Sequence, residues 1–228
     1  MKWKGTDIST KGLIALTQPV KKKAKKQTII DKIDGSDFAQ VTTLGFEPYY
    51  LETRLAILDP STYLSSALAF LDGSGALIDD EDALKYWNAH IVDEVEFERA
   101  TKGANIKTAD VRFLVTDPFR YLVTEADTTR TTTPTTVTNQ GTYESLPLIK
   151  ITGTGTVVLT INGSSFTYIF DTPYVFIDSK TKEAYYLTSN DKTLKMTGDF
   201  PKLAPGSNAI SWTGTITELV ITPRSRFL

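Results

Sequence analysis

The sequence has no cysteine and a single histidine among its 228 residues. Without cysteine, the chain has no disulfide, no thiolate nucleophile and no zinc or iron–sulfur site built on sulfur ligands. The single histidine, His90, excludes a histidine relay and any metal site that needs two histidine ligands. These absences argue against an enzyme, so we expect no catalytic residue, no metal and no cofactor, and they suit folding in a reducing cytoplasm.

The sequence also lacks an excess of charge of either sign. Its formal net charge is −2, with 16 Lys/Arg against 19 Asp/Glu in residues 1–126 and 9 against 8 in residues 127–228. Neither half therefore has the basic excess of an electrostatic nucleic-acid binder.

No long apolar run is present either. The longest uncharged stretch, residues 151–170, is rich in Gly, Ser and Thr and contains an Asn-Gly turn, which indicates a β-hairpin and no membrane span. Lys2, Lys4 and Lys11 interrupt the N-terminus, so we expect no secretory signal there.

A threonine-rich segment divides the chain. Seven of the ten residues 127–136 are Thr, and Pro134 disfavours a helix. We interpret residues 127–140 as a linker between a ring/belt domain, residues 1–126, and a β-sandwich domain, residues 141–228. The alternative is an exposed edge strand within one domain.

The first half is predicted to be an α+β domain. A helix is predicted from Asp59-Pro60, with Leu64, Leu68 and Leu71 on one face and Gly73 at its end. A second helix is predicted over residues 80–92 from the stripe formed by Ala83, Leu84, Trp87 and Ile91, with acidic residues 79–82 at its N-terminus. Strands are predicted over residues 27–33, 39–44, 49–58, 95–100 and 110–115, with turns at Asp34-Gly35 and Lys102-Gly103.

The second half shows no helical periodicity. Val157, Leu159 and Ile161 alternate before the turn Asn162-Gly163, and apolar residues alternate again after it, which predicts a hairpin. Further strands at 174–177, 184–188, 210–212 and 219–221 predict a small antiparallel sandwich. The whole chain is thus predicted to be mainly β.

Charged clusters offer the remaining candidates for chemistry. Two acidic clusters could hold a hard cation or form an acid–base pair, but charges at a helix end and on a solvated strand explain them more simply. They are residues 79–82 and the set Asp93, Glu94, Glu96 and Glu98. His90 is interpreted as a packing histidine. The lysines of residues 20–26 could contact DNA phosphates, although a solvated loop is the simpler interpretation.

Short phrases along the whole chain resemble the distal tail protein of siphophages that infect Gram-positive bacteria, the Dit family. In the first half they are residues 32–37 (KIDGSD), 70–77 (FLDGSGAL), 85–89 (KYWNA), 111–113 (VRF) and 117–121 (DPFRY). In the second half they are residues 139–147 (NQGTYESLP), 161–163 (ING), 177–178 (ID), 198–201 (GDFP), 203–208 (LAPGSN) and 223–226 (PRSR).

This resemblance implies a structural phage tail protein with an N-terminal ring domain, a protruding belt and a galectin-like C-terminal sandwich. Six copies would close a ring at the distal end of the tail tube. The ring would join the tube protein to fibre, spike or baseplate proteins and let the genome DNA pass without specific binding. The protein would reside in the virion tail tip after assembly in the bacterial cytoplasm.

We expect residues 20–44 to supply the belt. The candidate interface residues are Lys21, Lys22, Lys23, Lys25, Lys26, Ile33, Gly35, Phe38, Val41 and Leu44. Two other functions stay open from the sequence: carbohydrate binding through Tyr174, Tyr185, Tyr186 and Trp212, and hydrolysis by paired acids.

Overall fold

The computed structural model describes residues 1–32, 34–101 and 105–228, and its regular structure is mostly β, as predicted. The chain forms two compact units, residues 1–120 with Leu228 and residues 121–227. No helix in the described residues is long and apolar enough to span a membrane.

The first unit is built on an antiparallel sheet and a separate ribbon. Its strands are β1 (Lys2–Trp3), β2 (Thr6–Asp7), β3 (Leu13–Ala15), β4 (Lys26–Lys32), β5 (Ala39–Phe46), β6 (Tyr49–Ile57), β7 (Gly73–Ile78), β8 (Lys85–Ile91), β9 (Glu98–Arg99) and β10 (Lys107–Leu122). The sheet order is β2-β1-β7-β8-β10-β6-β3, with β9 also paired to β10, while β4 pairs with β5 alone.

The core of this unit lies on one face of the sheet. Alternate residues of β6 and β10 are buried, including Leu51, Leu55, Val111 and Phe113, because side chains of a strand point alternately to opposite faces. The indole of Trp3 packs edge-on against Phe113 at 5.1 Å between ring centroids.

Helix α1 (Pro60–Phe70) covers this core and begins as predicted, with Asp59 at the N-cap position and Pro60 at its first turn. It buries Ala67, and its C-cap residue Leu71 is also buried, whereas Leu68 is more than a third exposed, so the predicted apolar face was partly wrong. The helix ends at Phe70, not at Gly73, which instead opens β7.

The second predicted helix, residues 80–92, does not form. Residues Lys85–Ile91 are strand β8, which buries Trp87, Ala89 and Ile91 at a period of two and pairs with β7. Trp87 and Ile91 fit a helical face and a strand face equally well, since four residues is close to one helical turn and is also two strand repeats. Burial of Ala89 between them, and exposure of Leu84, identify the strand.

The second unit is a curled antiparallel sheet that encloses its own core. Its strands are β11 (Thr128–Arg130), β12 (Thr135–Asn139), β13 (Leu148–Ile161), β14 (Ser164–Ile169), β15 (Tyr174–Asp178), β16 (Glu183–Tyr186), β17 (Asn190–Asp191), β18 (Met196–Gly198) and β19 (Gly206–Thr222). The short strand β20 (Arg226–Phe227) follows in the chain and is not part of this sheet. The order is β11-β19-β13-β15-β16-β17, with β12 on β19, and with β14 on β13 and β18 on β14.

The long strands β13 and β19 bend near their middles, where their pairing is shifted between Thr152 and Gly153 and again between Thr154 and Val158. At Gly214 a Cβ atom would lie 2.4 Å from the carbonyl oxygen of Thr156, so the two backbones approach more closely than any side chain allows. The bend brings residues from both halves of the sheet, such as Ile151 and Leu159, into one buried cluster.

The segment predicted as a linker, residues 127–140, belongs to this sheet. Strands β11 and β12 both pair with β19, so the linker prediction was wrong and the edge-strand alternative is correct. Threonine side chains can stay exposed while their backbone completes a ladder. The predicted hairpin at Asn162-Gly163 is confirmed: β13 and β14 pair through Ile161 and Ser164. The predicted turn at Lys102-Gly103 lies outside the described residues.

Candidate functional site

The ribbon formed by β4 and β5 stands apart from both cores. Its residues are exposed, apart from partial burial at Gly45 and Phe46 where β5 returns to the unit. Five large apolar side chains on or next to this ribbon are 47–71% exposed, namely Ile29, Ile30, Phe38, Val41 and Leu44. Such a concentration of exposed apolar surface is typical of an interaction site.

Strand pairing places apolar side chains on both faces of the ribbon. Ile30 lies directly opposite Val41 on one face, and Ile29 lies opposite Thr42 on the other. The pairing is interrupted between Gln27 and Thr28, where an extra residue in β5 forms a bulge. A two-stranded ribbon without a core is marginally stable in water, so these faces gain stability when a partner covers them.

Burial of these apolar side chains on a partner would contribute substantially to the free energy of association. Full burial of one Val, Leu, Ile or Phe side chain contributes about 1.5–3 kcal/mol. Because the five side chains are about half exposed or more, covering them on a partner would contribute on the order of 5 kcal/mol before the entropic cost of association.

The base of the ribbon is fixed by polar contacts and one aromatic pair. The Lys25 ammonium lies 3.1 Å from a Glu47 carboxylate oxygen, and the Glu47 amide donates to the Lys25 carbonyl at 2.8 Å. The ring of Phe46 packs edge-on against buried Phe119 at 5.6 Å. Ala24 is also buried, so the ribbon emerges from an ordered base.

The lysine run divides by what each side chain contacts. Lys21 bridges Glu81 at 3.0 Å and Asp79 at 3.5 Å, and Lys22 donates to the Tyr50 carbonyl at 3.5 Å. Lys23 is exposed and has no ion pair within the part of the chain that the structure describes. Lys26 is the first residue of β4. Part of the run is therefore engaged within the protein, which weakens the hypothesis that it contacts DNA.

The other predicted interface residues lie on the ribbon or at its turn. Gly35 has φ +82°, a conformation that favours glycine, and Phe38, Val41 and Leu44 are exposed. Ile33 lies outside the described residues. Whether these residues form an interface stays a prediction. Ile29 and Ile30, which were not among the predicted interface residues, belong to the same surface.

The acidic residues 79–82 form a loop rather than a helix start. Asp79 is buried, and its Oδ1 accepts a hydrogen bond from the Asp82 amide at 2.6 Å. Burial raises the pKa of Asp82, but hydrogen bonds and charges from Lys85 and Arg120 outweigh it and hold that pKa below its usual value. No group of three acidic or histidine side chains in residues 1–32, 34–101 and 105–228 is placed to hold a metal ion.

His90 lies on β8, half-buried and opposite Ser74. In the second unit, a cleft of about 450 Å³ is lined by Asp178, Glu183, Tyr185 and Asp191 together with small side chains. Asp178 is already held by Arg224 through two hydrogen bonds, of 2.6 and 2.9 Å, and is not a free catalytic acid.

The aromatic residues considered for carbohydrate binding mostly pack on other aromatic rings. Trp212 is buried in the core of the second unit. Tyr185 stacks on Phe176 at 5.2 Å, and Tyr174 contacts Tyr186 at 4.9 Å.

Comparison with known proteins gives a match in structure only. No protein-family model and no curated protein sequence matches the chain. Its structure is similar to the crystal structure of the phage SPP1 Dit protein, a paradigm of the hub adsorption apparatus in Gram-positive-infecting phages. The TM-score is 0.78 at 16% identity, over 99% of this chain and 98% of SPP1 Dit.

The chain has the Dit fold. The resemblance that the short sequence phrases indicated is thus confirmed in the fold, as is the mainly β class. Structures of the phage p2 baseplate in its activated conformation, one with Sr and one with Ca, are more distant, with a TM-score of 0.49 and 9% identity over 94% of this chain and 92% of theirs. Since likeness at such low identity shows the fold alone, the role of this Dit-like chain depends on its surfaces.

Proposed function

We propose that this chain is a structural subunit of a bacteriophage tail tip, where copies of it close a ring that carries other tail proteins. The observation that carries this proposal is the exposed ribbon of β4 and β5, with apolar side chains on both faces. The Dit fold supports it, because SPP1 Dit is a hub protein of a phage adsorption apparatus.

The ribbon suits contacts between identical subunits. In a ring, the same protruding element of each copy docks on a different surface of the next copy, so every contact is repeated without a free end. A ribbon with apolar side chains on both faces and two open edges can bury apolar surface and add backbone hydrogen bonds to a neighbour at once. We expect six copies, as the family resemblance implies.

The remaining features of the proposal concern the assembled ring. It would join the tail tube protein to fibre, spike or baseplate proteins, and the genome would pass through its opening. A chain with net charge −2 does not attract DNA strongly by electrostatics, so the DNA would not stay bound. We propose that the protein acts in the virion tail tip after assembly in the bacterial cytoplasm, without enzymatic activity.

Carbohydrate binding is the weaker alternative. Trp212 is buried, and Tyr174, Tyr185 and Tyr186 are half-buried by neighbouring rings, so little free aromatic surface is left to stack on a sugar.

The test combines Ile30→Lys with Val41→Asp in the full chain. The two side chains lie directly opposite each other, so the opposite charges keep a favourable cross-strand pair while the apolar face is lost. We expect the wild type to assemble and the double variant to sediment as single subunits with an unchanged circular dichroism spectrum.

The matched control is Leu194→Asp, which places a charge at a position 97% exposed in the second unit. It should assemble like the wild type. Assembly of the double variant at wild-type concentrations would refute the role of the ribbon.

A further inference from the structure

The segment that leads into the ribbon is held by an acidic loop far away in the sequence. The Gln18 side-chain amide donates to Asp80 at 3.1 Å, and the Lys21 ammonium contacts Glu81 at 3.0 Å and Asp79 at 3.5 Å. These contacts join residues 18–21 to residues 79–81, about 60 positions along the chain. Residues 18–21 precede β4, which begins at Lys26, on the side from which the chain enters the ribbon.

The buried side chain of Asp79 pairs specifically with the Lys21 ammonium. Its side chain is fully buried, and its Oδ2 atom has no hydrogen-bond partner in the described residues, so the ammonium of Lys21 is the nearby charge that balances it. A buried carboxylate is costly unless a cation or several donors balance its charge. Lys21 itself stays 38% exposed in its side chain, and its pKa is raised, first of all by the hydrogen bond to Glu81.

Contacts within the ribbon do not fix its direction relative to the rest of the first unit. It pairs with no other strand in the described sheets, and its side chains lie outside both apolar cores. Its direction relative to the first unit is therefore decided by the contacts of the segments that flank it. These are the Lys25–Glu47 pair and Phe46 at its base, and Lys21 in the segment that leads into it.

We propose that Lys21, through its pairs with Asp79 and Glu81, is a positioning residue that fixes the direction of the ribbon for docking on a second copy of the chain. This inference rests on the proposed function. A ribbon already held in its docking direction loses less conformational entropy on association, so the pairs strengthen assembly without touching the neighbour.

The test compares Lys21→Met with Lys23→Met in the full chain. Both substitutions remove one charge from the same run, but Lys23 has no ion pair in the described part of the chain. We expect Lys21→Met to raise the dissociation constant of assembly about tenfold, equivalent to about 1.4 kcal/mol. Lys23→Met should match the wild type.

Further variants separate positioning from folding. Exchange of the charges, Lys21→Glu with Glu81→Lys, should recover part of the assembly that Lys21→Glu alone loses. Lys21→Arg, which keeps the charge, should assemble nearly like the wild type. If Lys21→Met does not fold, Glu81→Gln removes the closest partner from an exposed position and should weaken assembly in the same direction.

A distance measurement tests the inference independently of assembly. Because the chain has no cysteine, spin labels can be placed at Gln40→Cys on the ribbon and Ser65→Cys on α1. Dipolar spectroscopy, with the labelled chain diluted in unlabelled protein, should give a narrow distance distribution that Lys21→Met broadens and Lys23→Met does not.

The measurements distinguish failure of the positioning role of Lys21 from failure of the proposed function. Equally narrow distributions and equal dissociation constants for the wild type and Lys21→Met would overturn the positioning role while leaving ring assembly intact. A wild type that never assembles would refute the proposed function, and the distance distributions would still decide whether Lys21 fixes the ribbon.

Discussion

The ion pair of Asp178 and Arg224 gives a sharp stability prediction for the second unit. The Arg224 guanidinium donates to both carboxylate oxygens of Asp178, whose side chain is only 9% exposed. The same carboxylate accepts backbone N–H donors from Lys180 at 2.9 Å and Thr181 at 3.4 Å. Arg224→Met would leave a buried carboxylate held by backbone donors alone.

The expected cost is large for a single side chain. Removing one partner of a buried ion pair costs about 3–5 kcal/mol, and the two remaining donors place Asp178 near the lower limit, at about 3 kcal/mol. For a chain of this length that cost corresponds to a fall of about 6–12 °C in Tm. Arg130→Met is the matched control, because Arg130 donates only to backbone carbonyls at the exposed edge, and it should cost less than about 1 kcal/mol.

The stabilisation that the Asp178–Arg224 pair contributes also depends on pH in a defined direction. Burial raises the pKa of Asp178, but the hydrogen bonds from Arg224 and from the backbone outweigh it, so the net shift is downward. The folded-state pKa thus lies below the unfolded value of about 3.9. The ionised carboxylate therefore stabilises the fold at neutral pH, and this contribution is lost as the pH falls through the folded-state pKa.

Calorimetry of the full chain at pH 7 and pH 3 measures both effects. The difference in Tm between the wild type and Arg224→Met should be largest at pH 7 and smaller at pH 3, because without the guanidinium Asp178 takes up its proton at a higher pH than it does in the wild type. Adding Asp178→Asn to Arg224→Met should restore part of the stability at pH 7. A difference in Tm that is small at pH 7, or the same at both pH values, would refute the reasoning.

Two further predictions concern the second unit. Gly214→Ala should destabilise the second unit by more than about 2 kcal/mol in urea unfolding, because the new Cβ would lie 2.4 Å from the Thr156 carbonyl oxygen and Gly214 has φ +88°. The control Gly155→Ala, at φ +71° with no atom within 4 Å, should cost only about 1–2 kcal/mol. Equal costs for the two variants would contradict this packing. Burial, and then the charge of Asp171, raises the pKa of Tyr168 to about 12. The unfolded chain loses this proton at lower pH than the folded chain, so stability should fall between about pH 10 and pH 12, and Tyr168→Phe should reduce that fall; an unchanged alkaline profile in the variant would show that Tyr168 is not responsible.

The sequence predicted best those elements whose signals are local. The turn Asn162-Gly163 and the alternation on either side of it are a complete hairpin pattern within 14 residues, and the structure confirms it. The same holds for the start of α1, where Asp59 and Pro60 mark the first turn whatever the rest of the chain does.

The prediction of a second helix failed where two periods coincide. Trp87 and Ile91 satisfy both a helical stripe and an alternating strand, and the choice was made by pairing with β7, which starts 12 residues earlier in the chain. The partner of a strand is not visible in the residue pattern of that strand alone. For the same reason β11 was taken for part of a linker, because its partners Leu219–Ile221 lie about 90 residues away.

The candidate site was predicted in part. The sequence predicted strands over residues 27–33 and 39–44 with a glycine turn between them, and the structure has the ribbon of β4 and β5 there. Its exposed Val41 and Leu44 were among the predicted interface residues. The sequence could not show that Lys21 pairs with Asp79 and Glu81, since the acidic residues looked like the start of a helix. Only the folded chain brings that loop to the base of the ribbon.

We propose that the exposed ribbon of β4 and β5 holds copies of this chain in a closed ring. The most direct test is the mass of the purified full chain across a range of concentrations, followed by electron microscopy of the heaviest species. We predict a species of about 150 kDa, six times the 25.2 kDa of one chain, with six-fold symmetry. A mass of one subunit at every concentration would contradict the account.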